Sequence, residues 1–173
     1  MGESMKNLKR MTMILYNSYD KNKWHEAHKR AIARAASICY AFECNLAIMN
    51  FPCKREDITS IETTIGSSGK YLNELIEKNR FMIVDKYQPQ FGVPIITTSK
   101  PEPKKAISPK EVAQSLLKKS CGIYVGLGRH GLPKNILKSG ELHLDITEKG
   151  ISLETCTAIS AIPSTIYTHS KYL

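Results

Sequence analysis

His25, Glu26, Ala27 and His28 form the first cluster whose side chains could hold a metal. Two imidazoles serve one ion from one helix face at i and i+4, and these stand at i and i+3 with the glutamate misplaced. The five cysteines (Cys39, Cys44, Cys53, Cys121 and Cys156) contain no CxxC pair. No four-ligand set emerges, so no metal is expected. Odd in number, irregularly spaced and preceded by no export signal in Met1–Lys6, the cysteines read as reduced thiols of a cytoplasmic protein. Cys39 and Cys121 sit in apolar runs, where a thiol serves as a small hydrophobe.

Two stretches carry more chemistry. Gly126-Leu127-Gly128-Arg129-His130-Gly131-Leu132-Pro133 follows an apolar run. Its glycines permit positive φ and let a ligand approach the backbone. By letters it is G-x-G-x-x-G, but it comes late in the chain and Pro133 promises no long helix, so it is not the dinucleotide fingerprint. A plain Gly-rich turn is the alternative. The second stretch runs from Leu144 to Ala158, a strand end, a polar loop and a helix opened by Ser152. Glu154 falls in that helix's first turn, where it either complements the positive helix end, worth roughly 0.3–1 kcal/mol, or handles a proton. His143 and Asp145 alternate with Leu142 and Leu144, so one face of the strand is polar, towards solvent or a site.

The elements that position these residues follow from periodicity. Apolar runs predict strands at Thr12–Tyr16, Leu46–Met49, Phe81–Val84, Val93–Ile96, Gly122–Val125 and Leu142–Ile146. Helices are predicted from Trp24 to Phe42, with Trp24, Ala27, Ala31, Ile38 and Phe42 inward, and from a Ser68 cap to Asn79. A third runs from Ser108-Pro109-Lys110-Glu111, a capping box with proline at the first helical position, to Lys119. A last helix is interrupted near Pro163. Lys100–Lys105 is a polar, Pro-rich loop. The alternation predicts one α/β domain over residues 1–173 with a largely parallel sheet. Ligands of such sheets sit at the strands' carboxyl ends, here the loops after Ile96, Val125 and Ile146.

The chain is 173 residues, with 25 Lys+Arg against 16 Asp+Glu, a net charge of +9. With 42% apolar and 24% charged residues it is neither disordered nor a coiled-coil rod. No stretch approaches the roughly 18 unbroken apolar residues of a membrane span. Residues 1–34 hold eight Lys/Arg against three Asp/Glu, and residues 100–120 hold six Lys against two Glu. Two basic segments suit a phosphate-rich partner, although a charge run also serves as a solvated face. Phe and Tyr are not interleaved with the lysine clusters, so a base-stacking sheet platform is not expected.

Together the two stretches resemble the SPOUT (SpoU/TrmD) class of S-adenosylmethionine-dependent RNA methyltransferases, and most of all its minimal archaeal members. That class carries G-S-E-G-x-G-L after a strand, and here Gly126, Gly131 and Leu132 stand in register. Its S-L-N helix opening is Ser152-Leu153-Glu154 here, with Ala158 four residues on. The second half of its N-x-G-x-x-x-R-x-A-x-x-F/G helix motif matches Ile32–Phe42, with Arg34 as the arginine. The resemblance spans about residues 12–167 and is specific over about 122–162.

It implies a deep trefoil knot and cofactor region at about residues 92–167, and a homodimer packed through the knot. S-adenosylmethionine would be held by Ile96, Thr97, Gly126, Leu127, Gly128, Gly131, Ile146, Ser152 and Leu153. Arg34, Glu154 and His130 would carry the chemistry, and Arg30, Arg34 and Arg129 would meet the RNA, a tRNA or rRNA. An exposed ion pair is the alternative for Arg34, of the kind Glu26 and Arg30 can make at i, i+4. Three polar positions of the class differ: its glycine-loop Glu is Gly128, its last Asn is Glu154 and its first Asn is His28. These departures weaken ribose methylation and keep open a second reading, a non-catalytic RNA-binding or regulatory protein on the same fold.

Overall fold

A computed structural model of the chain describes residues 8–173, so the expected lack of an export signal in Met1–Lys6 lies outside the described residues. Met11–Asn17 forms β1, an apolar run buried along nearly its whole length. Such a strand belongs inside a parallel sheet covered on both faces. Six more follow: β2 (Asn45–Met49), β3 (Phe81–Val84), β4 (Val93–Thr97), β5 (Ala106–Ile107), β6 (Cys121–Leu127) and β7 (Leu142–Leu144). They form one sheet in the order β3-β2-β1-β6-β4-β7-β5, and every neighbouring pair is parallel. The α/β class and all six predicted strands are present. The two-residue β5 escapes sequence analysis because so short a strand at the end of a lysine-rich loop has no period to read.

The helices are α1 (Glu26–Ala41), α2 (Lys70–Glu77), α3 (Pro109–Ser115), α4 (Lys134–Ser139) and α5 (Thr155–Ser170). One sheet face, with Met13, Leu15, Leu46, Ile48, Ile95, Ile123 and Val125, is covered by α1, α2, α3 and α5. The other, with Ile14, Ala47, Met49, Ile96 and Tyr124, meets Phe91, Leu132 and the half-buried Ile136 and Leu137 of α4. Each fully buried Ile or Leu contributes roughly 1.5–3 kcal/mol.

α1 is rotated from the predicted orientation. Its buried residues are His28, Ala31, Ile32, Ala33, Ala35, Ala36 and Cys39, while Ala27 is exposed and Ile38 and Phe42 are half-buried. Small side chains let the helix lie close on the sheet, which outweighs turning its larger residues inward. The rotation leaves Arg30 and Arg34, one turn apart, on the exposed face. The ion pair on this face joins Glu26 to Lys29, 2.9 Å away, rather than to Arg30.

Three predicted helix details change. α2 is preceded by Gly69 rather than capped by Ser68. Its chain passes so near the carbonyls of Ile61 and Glu62 that a Cβ would collide, and backbone bonds from Tyr71 and Leu72 start the helix. α5 begins at Thr155, three residues after Ser152, with Glu154 in extended conformation as its cap and its carbonyl accepting from Ala158 N–H. α5 also runs through Pro163 unbroken. There Ser160 and Ser164 donate to carbonyls one turn back, and α1 and α3 pack along the helix. The capping box of α3 holds: Ser108 Oγ accepts from Glu111 N–H at 3.2 Å and the Glu111 carboxylate accepts from Ser108 N–H at 2.8 Å.

Candidate functional site

All strands of a parallel sheet end on one edge, so the loops after β1, β4, β6 and β7 converge there. The glycine loop after β6 is bound to the loop after β1. Ser18 N–H donates to Leu127 O at 2.8 Å, and the Ser18 hydroxyl lies 2.9 and 2.7 Å from the carbonyl oxygens of Leu127 and Gly131. Gly126 is required by proximity, since a Cβ would stand 2.9 Å from the Gly131 carbonyl carbon. Gly128 has φ +142°, and a Cβ would stand 2.8 Å from Ser18 Oγ. A glutamate at 128 would clash with Ser18 and strain the backbone, which accounts for that departure from the resemblance.

The loop after β7 is organised by Asp145. Its carboxylate accepts from Thr147 N–H (3.0 Å), the Thr147 hydroxyl (2.7 Å) and Gly150 N–H (2.7 Å). Burial alone would raise this carboxyl; the hydrogen bonds from Thr147 and from the Gly150 and Glu148 amides outweigh it and hold the group below its ordinary value. Thr147 Oγ1 in turn accepts from the amides of Lys149 and Ile151 at 3.2 Å. His143, on the same strand, is buried and points into the protein, accepting from Glu102 N–H and donating to Leu137 O. Of the alternating pair, His143 in β7 is therefore internal, and Asp145, just beyond the strand's end, faces the site.

These loops enclose an inner cavity of about 280 Å³. Thr97, Gly126, Gly131, Ile146, Ser152 and Leu153, six of the residues expected to hold a cofactor, line it together with Thr98, Ser99, Asp145, Ile151 and Thr155. Arg129 and His130 stand exposed at its rim. Thr97 Oγ1 donates to Tyr124 O at 2.6 Å and Thr155 Oγ1 to Gly126 O at 3.0 Å, which fixes two walls. Ile96 is not part of the lining. Its side chain is fully buried against Gly140 in the opposite core, because neighbouring residues on a strand face opposite ways.

An outer recess of about 660 Å³ adjoins it, sharing Gly126, Arg129, Gly131, Ser152, Leu153 and Thr155. Leu127, Gly128, Arg30, Arg34 and Glu154 complete the predicted residues here, and Tyr19 and Cys156 are additions. Arg34 Nη1 donates to Cys156 Sγ at 3.1 Å. Among the described residues none of the recess arginines pairs with a carboxylate. The lysines of residues 100–119 line neither compartment, so the second basic segment does not border this site. The sequence carries no signal for Tyr19 beyond its place after a turn at the carboxyl end of a strand.

His28 stands away from both compartments. It is 0% exposed, stacks on Trp24, accepts at Nδ1 from His25 N–H (3.0 Å) and presents Nε2 to Asn17 Oδ1 (3.2 Å). Burial, with His25 nearby, lowers its basicity below the ordinary histidine value. His28 is the capping side chain of α1. Among the described residues no three His, Cys, Asp or Glu side chains gather as metal ligands, and no helix is long and apolar enough to cross a membrane.

Comparisons with known proteins agree with this architecture. A structure of a SpoU methyltransferase, AviRb from Streptomyces viridochromogenes, in complex with AdoMet superimposes with a TM-score of 0.60 at 12% identity, over 97% of this chain and 62% of that one. A structure reported for the 2-OH methylation of C/U34 on tRNA gives 0.64 at 14% identity, over 95% of this chain and 99% of that one. At such identities the likeness is one of fold. The uncharacterized protein MJ0224 of Methanocaldococcus jannaschii is 70% identical over 169 residues, 98% of this chain and all of that one. Residues 11–167 match the family model described as protein of unknown function, DUF531, and the chain belongs to that family.

Proposed function

We propose that this protein is an S-adenosylmethionine-dependent methyltransferase acting on RNA, a tRNA or rRNA, in the cytoplasm. The observation that carries the reading is the pair of adjoining compartments at one sheet edge, one walled by glycines and the loop after β7, the other lined by three arginines. The inner cavity fits the cofactor: Ile146 and Leu153 offer apolar walls to an adenine, and Gly126 leaves open the space a Cβ would fill. When bound, the cofactor supplies an electrophilic methyl group. Thr97, Gly131 and Ser152 edge the same cavity and orient that ligand; Leu127 and Gly128 hold the loop from the recess side.

The substrate nucleotide occupies the outer recess. Arg34 donates to its phosphate or hydroxyl, and Arg30 and Arg129 neutralise neighbouring phosphates. Glu154, in the outer recess, or His130, at the rim of the inner cavity, accepts the proton released on transfer. The reading includes the trefoil knot and the homodimer. A would-be Cβ at Gly150 lies 3.6 Å from Ser99 O, so the loops after β4 and β7 lie against each other, as a threaded chain requires. The seam of α1 and α5, with half-buried Ile38 and the Phe42–Tyr167 ring contact, is the surface we assign to the second copy.

Calorimetry with S-adenosylmethionine and transfer of labelled methyl to total RNA test the reading. Binding, and transfer abolished by Arg34→Ala, are expected; no binding at millimolar cofactor would refute it. Light scattering of the purified protein tests the dimer. One observation favours the second reading, a non-catalytic RNA-binding protein: the seat of Gly128 leaves the glycine loop without a carboxylate. Cofactor binding without transfer to any RNA would select it.

A further inference from the structure

Tyr19 is 55% exposed, yet its backbone is pinned from both sides. Its N–H donates to Asn17 Oδ1 at 3.0 Å. Asn17 is fully buried and its amide donates to the carbonyls of Asp20 (2.7 Å) and Asn50 (3.0 Å). On the other side Ser18 is bonded to the glycine loop and Asp20 receives the amides of Asn22 and Lys23. The Tyr19 ring meets His25 and His28 steeply, at 5.5 and 5.6 Å with interplanar angles of 70° and 71°. It is thus propped by two imidazoles while more than half of it remains in solvent. In the same recess stand Arg30, Arg34 and Arg129.

An apolar ring held in water at a fixed place has little conformational freedom left to lose when a planar ligand covers it. Guanidinium groups on the same walls suit a ligand that carries phosphates. A planar group joined to phosphates is a nucleotide. Its base can lie on a side-chain ring only if it is unpaired and unstacked from its own strand. We propose that Tyr19 is the stacking platform for an unpaired nucleotide of the RNA substrate, so that the protein selects single-stranded or looped RNA over duplex. The inference rests on the proposed RNA reading and deepens it.

The test uses the full chain and a short unstructured oligoribonucleotide, a duplex of the same length, and a set of oligonucleotides each lacking one base. Tyr19→Phe keeps the ring, whereas Tyr19→Leu keeps bulk without a π face. Single strand should bind more tightly than duplex, Tyr19→Phe within about threefold of the parent, and Tyr19→Leu roughly 5- to 150-fold more weakly. One abasic position should carry a similar loss in the parent and none in Tyr19→Leu, a coupling that a merely structural tyrosine would not produce. Equal binding by Tyr19→Leu, preference for duplex, or abasic losses unchanged in that variant would overturn the inference. S-adenosylmethionine calorimetry runs alongside. Stacking without cofactor binding leaves this inference standing while the enzyme reading falls. Transfer with a neutral Tyr19→Leu sinks this inference alone, and absence of any RNA binding sinks it together with the RNA substrate.

Discussion

Arg34 reaches from the exposed face of α1 to Cys156 in the first turn of α5, its Nη1 donating to Sγ across 3.1 Å. Sulfur is a weak acceptor, so the contact aims the guanidinium and leaves its other donors free.

Cys156→Ala should therefore reduce methyl transfer less than tenfold. Arg34→Ala should reduce it roughly 10²- to 10³-fold, the loss of one preorganised charge-stabilising donor. Both should bind S-adenosylmethionine as the parent does, because neither side chain lines the inner cavity. Initial rates with labelled cofactor and calorimetry separate the two effects.

Gly128→Ala places a methyl group 2.8 Å from Ser18 Oγ at a φ of +142°. The strain of such a conformation is about 1–3 kcal/mol, and the Ser18 bonds to Leu127 and Gly131 must shift as well. A lowered Tm is expected, with weaker cofactor binding. Ser18→Ala, which removes only the hydroxyl, should show a smaller form of the same loss.

Asp145→Ala releases the amides of Thr147 and Gly150 and should weaken S-adenosylmethionine binding roughly tenfold, through disorder of the loop. The native carboxyl titrates below its ordinary 3.8. A depressed carboxyl contributes fully above its unfolded value and loses that contribution as pH falls through the folded one. The protection of the Gly150 amide, its exchange relative to the intrinsic rate at each pH, should therefore fall below about pH 4, and should be small at neutral pH in Asp145→Ala.

His28 gives a pH dependence at milder values. Its folded pKa lies below 6.5 because burial disfavours the imidazolium. The unfolded chain binds the proton more readily, so stability is complete above pH 6.5 and declines as pH falls through the folded value. Thermal melts between pH 7.5 and 5 should show a declining Tm, and His28→Phe should flatten the slope while lowering the plateau by the lost cap bonds.

The sheet was legible because Thr12–Tyr16, Leu46–Met49 and Gly122–Val125 are short apolar runs that can bury only inside a covered sheet. The capping box of Ser108 and Glu111 is a local motif, and it formed as read. The start of α5 was misplaced because Asp145 and Thr147, five or more residues upstream of Ser152, bind the loop amides and hold the chain extended to Glu154. The face of α1 was misjudged because close approach, not side-chain size, decides which residues turn inward. Of the residues lining the cavity, the glycines were legible as a loop after a strand and Ser152–Leu153 through the family resemblance. Tyr19 and Cys156 were not, since β1 meets the glycine loop only through the sheet, and α1 meets α5 only across the folded core.

The central pairing of the sheet sets Met11 against Cys121 and Asn17 against Leu127. On the ribosome, β1 must wait for residues 110 positions further along the chain before its second neighbour exists. Until then one long edge of an apolar strand is open, a surface on which nascent chains associate wrongly. Completion of the sheet should therefore be an abrupt event that waits for β6, and a pause that exposes β1 and β2 without β6 should be where the cell's chaperones engage the chain.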